Sequence, residues 1–154
     1  MNDWNVVHVK GKPVPQGSMR PMVNRHTGQA IVKANNADKL YEYRNNIVNE
    51  IRLARERGNV LSEPITGAVE LQVAFFLPRP KSHYGTGRNA DVLKPSAPAH
   101  PTSPPDADKL LRSVGDALTY ADVFGDDAQI VKIVARKEYA REGATSIAYR
   151  GVNK

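Results

Sequence analysis

The residues best suited to chemistry are concentrated in two places, Asp106-Ala107-Asp108 and Asp126-Asp127. Ionised carboxylates grouped in this way are ligands for a hard divalent cation, Mg²⁺ with Mn²⁺ as a substitute. Pro104-Pro105 keeps the approach to the first pair extended. In extended backbone, side chains two residues apart share a side, whereas on a helix they diverge by about 200°. The pair is therefore expected just ahead of a helix, with Asp108 at or near the N-cap, where backbone N–H groups and the helix dipole favour its ionised form. One capping Asp beside one solvated Asp is the plainer reading, but it leaves the downstream acids without a role. Asp126 and Asp127 directly precede a strand. Neighbours in extended chain face opposite sides, so one of the two, with the other in support, is expected to reach the cluster.

Arg112 lies one helical turn after Asp108, on the same face. It is placed to stabilise negative charge on a phosphate, or else to form an i,i+4 salt bridge with Asp108 or Asp116. Asp116, two turns on and about 12 Å along the axis from Asp108, is assigned a supporting role. These residues read as a divalent-metal site without naming a substrate.

The elements that must position them can be traced along the chain. Trp4 to Lys10 reads as a strand, and Gly11 to Ser18 as a Gly- and Pro-rich loop. An extended segment over Met22 to Lys33 turns near Thr27-Gly28. Leu40, Tyr43, Ile47, Ile51 and Ala54 recur at three- and four-residue steps, which predicts an amphipathic helix over 37–57 ended by Gly58. Lys39, Arg44, Arg52 and Arg55 on its other side read as a solvated face. Val69 to Leu77 is the clearest strand, stopped by Pro78. The stretch 78–105, with seven prolines, is a long loop that is either functional or disordered. A second helix is expected from about Asp108 to Thr119, with Leu110, Leu111, Val114, Ala117 and Leu118 buried. Ala128 to Tyr139 is then a strand, with Thr145 to Tyr149 its antiparallel partner across Arg141-Glu142-Gly143. The sum is one α+β domain over 1–154, a mainly antiparallel sheet packed on two helices.

Composition narrows the function. With 154 residues the chain is long enough to bury a core without cross-links. It contains no cysteine, which excludes thiol catalysis, thiolate metal sites and disulfide scaffolds. The apolar run Val73 to Leu77 is too short to cross a bilayer, and the N-terminus lacks a signal-peptide pattern. A soluble cytoplasmic protein is expected. The formal charge of +6 attracts polyanions, and a cluster of carboxylates in a basic chain is what a metal-dependent nuclease needs. Arg20, Arg25, Arg79, Lys81, Arg88 and Lys109 are the basic residues expected to contact DNA. The Gly11–Ser18 loop lacks the phosphate-loop order. His8, His26, His83 and His100 have no paired zinc spacing. Ser18 and Ser82 have no His/Asp partners.

The segment Asp106 to Val131 closely resembles the RusA family of Holliday junction resolvases. Its Asp-Ala-Asp-Lys, Asp-Ala-Leu and Asp-Asp-Ala-Gln-Ile blocks follow the family's order and spacing. Gly11-Lys12-Pro13-Val14-Pro15-Gln16-Gly17-Ser18-Met19-Arg20 is similar to phage-type members. The resemblance implies metal-binding aspartates at Asp106, Asp108 and Asp127, with the family's catalytic lysine falling on Arg112. That is a departure, since Arg keeps the charge but is no proton donor near neutral pH. It further implies a Mg²⁺-dependent homodimer that cuts opposed strands of a four-way junction, in a bacterial or phage-infected cell. Two other functions are carried beside it: a non-catalytic branched-DNA-binding module, and a nuclease for flaps or other branched DNA.

Overall fold

In a computed structural model of the chain, residues 3–17, 19–23, 26–28, 30–34 and 37–152 are described, with backbone only for 19–23 and 30–34. Among the described residues, six strands and two α-helices form the frame: β1 (Asn5–Lys10), β2 (Met19–Val23), β3 (Ala30–Ala34), α1 (Ala37–Glu56), β4 (Val69–Pro78), α2 (Ala107–Tyr120), β5 (Ile130–Ala140) and β6 (Ala144–Gly151). The main sheet has the order β1-β6-β4-β5, and β2 and β3 form a separate two-stranded sheet. The β1–β6 and β4–β6 pairings are antiparallel, while β4–β5 is parallel. The expected α+β class holds, with this mixed pair inside a mainly antiparallel sheet.

One expected pairing does not form. β5 and β6 are consecutive, but β4 lies between them, so the short segment 141–143 bridges over a strand rather than closing a hairpin. Apolar patterning accounts for this. β4 buries its whole helix-facing side, Val69, Leu71, Val73, Phe75 and Leu77, and on the other side buries Glu70 and Ala74 while Gln72 is exposed. Such a strand belongs inside a sheet. β5 carries Lys132, Arg136, Lys137 and Glu138 and takes the edge, where charge discourages further pairing. The bridging segment is pinned by Gly143, whose carbonyl accepts from Gly11 N at 2.9 Å. A Cβ at Gly143 would lie 2.5 Å from the Lys12 Cα, so only glycine fits there.

Both helices cover the sheet face formed by Val7, Val9, Leu71, Phe75, Ile147 and Tyr149. α1 buries Leu40, Tyr43, Ile47, Ile51 and Ala54, the predicted stripe. Gly58, at φ +72°, ends it in the left-handed conformation that glycine adopts without strain. In α2, Ser113 joins Leu110, Val114, Ala117 and Leu118 in the core. Its hydroxyl is satisfied by the Val14 carbonyl at 2.7 Å, which fastens the Gly11–Gly17 segment along α2. Leu111 is partly buried. No helix among the described residues is long and apolar enough to cross a membrane.

The 78–105 stretch is ordered against β5. Short 3-10 turns at Lys81–His83 and Gly87–Asn89 and a Tyr84–Leu93 bridge organise it. Arg79 donates to Pro98 O at 2.7 Å and lies 4.4 Å over the Tyr139 ring. The His83 ring meets Tyr139 edge-on.

Candidate active site

α2 begins one residue earlier than the sequence predicts. Its N-cap is Asp106, with extended backbone (φ −73°, ψ 140°), and Asp108 lies inside the first turn. Asp108 is thus near the N-cap as expected, but the pair does not lie wholly ahead of the helix, because the chain leaves its extended path at Ala107. Asp106 makes no side-chain capping bond; it faces Lys109 at 3.7 Å. Asp108 in the first turn sits where the helix dipole favours negative charge.

Asp126 and Asp127 do not alternate on extended chain as expected, because Asp127–Gln129 forms a 3-10 turn capped by Asp126. Asp126 accepts from Ala128 N at 2.8 Å. The Gln129 side chain accepts from Gly125 N and Asp126 N and donates to the carbonyls of Ile65 and Gly67. The turn thereby brings both carboxyls close. The Ala128 N–H, and then the hydrogen bond to Asp127, hold Asp126 below the usual carboxylate range. Asp127 is pushed up by that same bond, then by desolvation, and then by the charges of Asp126 and Asp116. Two carboxyls sharing one hydrogen bond titrate as a unit.

Asp108, Arg112, Asp116 and Asp127 line one cleft of about 480 Å³, floored by Leu71 and Ile133. Asp106 is not among its lining residues. Arg112 is exposed and makes no hydrogen bond or ion pair among the described residues, so the alternative of an i,i+4 salt bridge is not realised. Asp116 is held instead by Arg44 of α1 at 2.9 Å, and Arg44 also donates to Gln16 at 3.1 Å. A second cleft of about 800 Å³ opens between α1 and α2 on the other side of Asp116 and Asp127. The described residues contain no cluster of three or more acidic or histidine side chains that could hold a metal ion.

Several contributors escaped sequence reasoning. Arg44 and Arg55 are not a merely solvated face. Arg44 ties α1 to Asp116, and Arg55 donates to the carbonyls of Ala121 and Asp122 at 2.6 and 2.9 Å. Gln16 reaches the smaller cleft, and the Gly11–Arg20 motif was its sequence signal. Lys137, on β5, donates to Ser103 O and Pro105 O at 3.2 and 3.0 Å and so fixes the segment entering α2. Nothing in the local sequence marks it. Of the basic residues expected to contact DNA, Lys81 and Arg88 are exposed. Arg79 is engaged within the loop, and Lys109 is paired with Asp106. The Arg20 side chain and all of Arg25 lie outside the described residues.

The family profile of endodeoxyribonuclease RusA matches residues 11–149, and the chain belongs to this family. It is also similar to a Bacillus subtilis (strain 168) protein, Uncharacterized protein YqaN, at 27% identity over 145 residues, covering 94% of each chain.

Proposed function

We propose that this protein is a Mg²⁺-dependent, structure-selective endodeoxyribonuclease that resolves four-way DNA junctions as a homodimer, by paired symmetric nicks. One observation carries the reading: in a chain of the endodeoxyribonuclease RusA family, Asp108, Asp116 and Asp127 converge with Arg112 on a single cleft. The donor set fits a hard cation. It consists of carboxylate oxygens without histidine or cysteine, and Asp127 is crowded by like charge that a cation would relieve. On the family resemblance, Asp106, Asp108 and Asp127 are the residues assigned to hold the ion, with Asp116 and Asp126 in support, and Asp106, which faces Lys109 outside the cleft, would have to turn towards it. The chemistry such an ion supplies is activation of water and neutralisation of charge at the scissile phosphate.

The chain's own side chains supply the rest. Arg112 holds the charge that develops on the phosphate, and having no proton to give near neutral pH it acts as an electrostatic clamp. Arg44 fixes Asp116, and the Asp126–Gln129 cap fixes Asp127, so neither carboxylate must be ordered when substrate arrives. Exposed basic side chains such as Lys81 and Arg88 meet the phosphate backbone, which positions DNA without reading its sequence.

The test is a cleavage assay on a synthetic four-way junction, a flap and a matched duplex, in Mg²⁺ and in EDTA, with Asp108→Asn alongside. Paired nicks on opposite strands of the junction, abolished by EDTA and by the substitution, are expected. Tight junction binding without cleavage in Mg²⁺ or Mn²⁺ would make the protein a binding module, and preference for the flap would change the substrate.

A further inference from the structure

The larger cleft shares Arg44, Asp116, Asp126 and Asp127 with the site described above, but Tyr41, Asn45, Val48, Tyr120 and Asp122 on its wall have no part in the reaction proposed there. It measures about 800 Å³, within the range of small-molecule sites. Tyr41 of α1 and Tyr120, the last residue of α2, line it. At 70% and 80% exposure they are the most exposed large hydrophobic side chains among the described residues. Tyr41 and Tyr120 add nothing to the core, so packing does not account for them. Val48 and Ala117 give the cleft apolar surface. Asn45, one turn beyond Tyr41, adds an amide with both donors and an acceptor.

The charges select the occupant. Asp116 is neutralised by Arg44, but Asp122, Asp126 and Asp127 also line the cleft. Away from a bound cation, this excess of carboxylates disfavours the sugar-phosphate backbone. A nucleobase is neutral. It offers π-faces to tyrosine rings, and its exocyclic amino group donates to a carboxylate. The wall is already built, because Arg55 holds the carbonyls of Ala121 and Asp122, the latter at φ 57°. Asp116 and Asp127 line both clefts, so an occupant would sit beside the phosphate under attack.

We propose that this cleft receives an unstacked nucleobase from the nucleotide flanking the cut, with Tyr41 and Tyr120 as stacking surfaces, and thereby sets a cleavage-site sequence preference. This rests on the nuclease reading above. The test uses the full chain in EDTA, so that binding is read without cleavage, and a set of four-way junctions each lacking one base near the crossover. Wild type, Tyr41→Ala/Tyr120→Ala and Tyr41→Phe/Tyr120→Phe are compared by equilibrium binding. Loss of one stacked base corresponds to about a 5- to 150-fold weaker affinity. That loss is expected for the alanine pair on the intact junction, with phenylalanine retaining affinity. At one abasic position, wild type and the alanine pair should bind equally. The single alanine variants give the same comparison if the pair folds poorly. An equal loss at every abasic position, or no loss at all, overturns the proposal while cleavage by the wild type leaves the nuclease reading standing. A dimer that dissociates in the alanine pair makes the tyrosines an interface between copies and overturns it as well. A wild type that neither binds nor cuts any junction overturns both.

Discussion

Arg112 shares its cleft with three carboxylates yet pairs with none of them, so its exposed guanidinium is open to a further anion. A scissile phosphate is such an anion. Arg112→Ala is therefore expected to slow single-turnover junction cleavage about 100- to 1,000-fold, the usual cost of one charge-stabilising donor. Arg112→Lys should keep most of the rate, since it restores the positive charge that the resemblance places there. An alanine variant cleaving at the wild-type rate would remove Arg112 from the reaction. The carboxylates behave differently from one another. Asp116 is occupied by Arg44 and Asp126 by a backbone N–H, whereas Asp127 is pushed towards its protonated form by its neighbours. Their types are alike in sequence, and their partners separate their roles.

The elements are joined by ion pairs that neighbouring residues do not predict. Glu70, near the start of β4, binds Arg150 of β6 at 2.8 Å and Lys132 of β5 at 3.3 Å, linking three strands on the face away from the helices. Chiefly through Arg150, these cations hold its carboxyl below its ordinary value of 4.5. A depressed native pKa contributes stability that is full above the unfolded value and is lost as pH falls through the native one. The melting temperature should therefore drop as pH is lowered below 4.5, and Glu70→Gln should flatten that part of the profile in a thermal melt. An unchanged profile would mean that solvent already screens the cluster.

At the scale of the molecule, a junction is a two-fold object, and two opposed strands need two active sites. The protomer mass is 16.9 kDa, and sedimentation equilibrium should return twice that value without DNA. A monomer that cuts only one strand per encounter would contradict the symmetric mechanism. β5 lies at the edge of the main sheet with Val131, Ile133 and Val134 exposed, so the molecule is not closed on that side. The loop 78–105 packs on the same strand through Arg79, His83 and Tyr139.

Most of what depends on near neighbours is legible along the chain. The α1 stripe, the span of α2 to within one residue and the apolar run of β4 follow from periodicity, because side chains three, four or two residues apart share a face. Asp108, Arg112 and Asp127, which line one cleft, are singled out by motif spacing along the chain, whereas Asp106 lies outside that cleft. How the remote parts meet is set by the packing of the whole fold. β4 lies between β5 and β6 because an apolar strand gains most at the centre of a sheet. Gln129 and the Ile65–Gly67 carbonyls, Lys137 and Pro105, and Arg44 and Asp116 are contacts between residues more than 30 positions apart. No periodicity encodes such pairs. They follow from strand order and helix docking, and those are settled by the burial of the whole core at once.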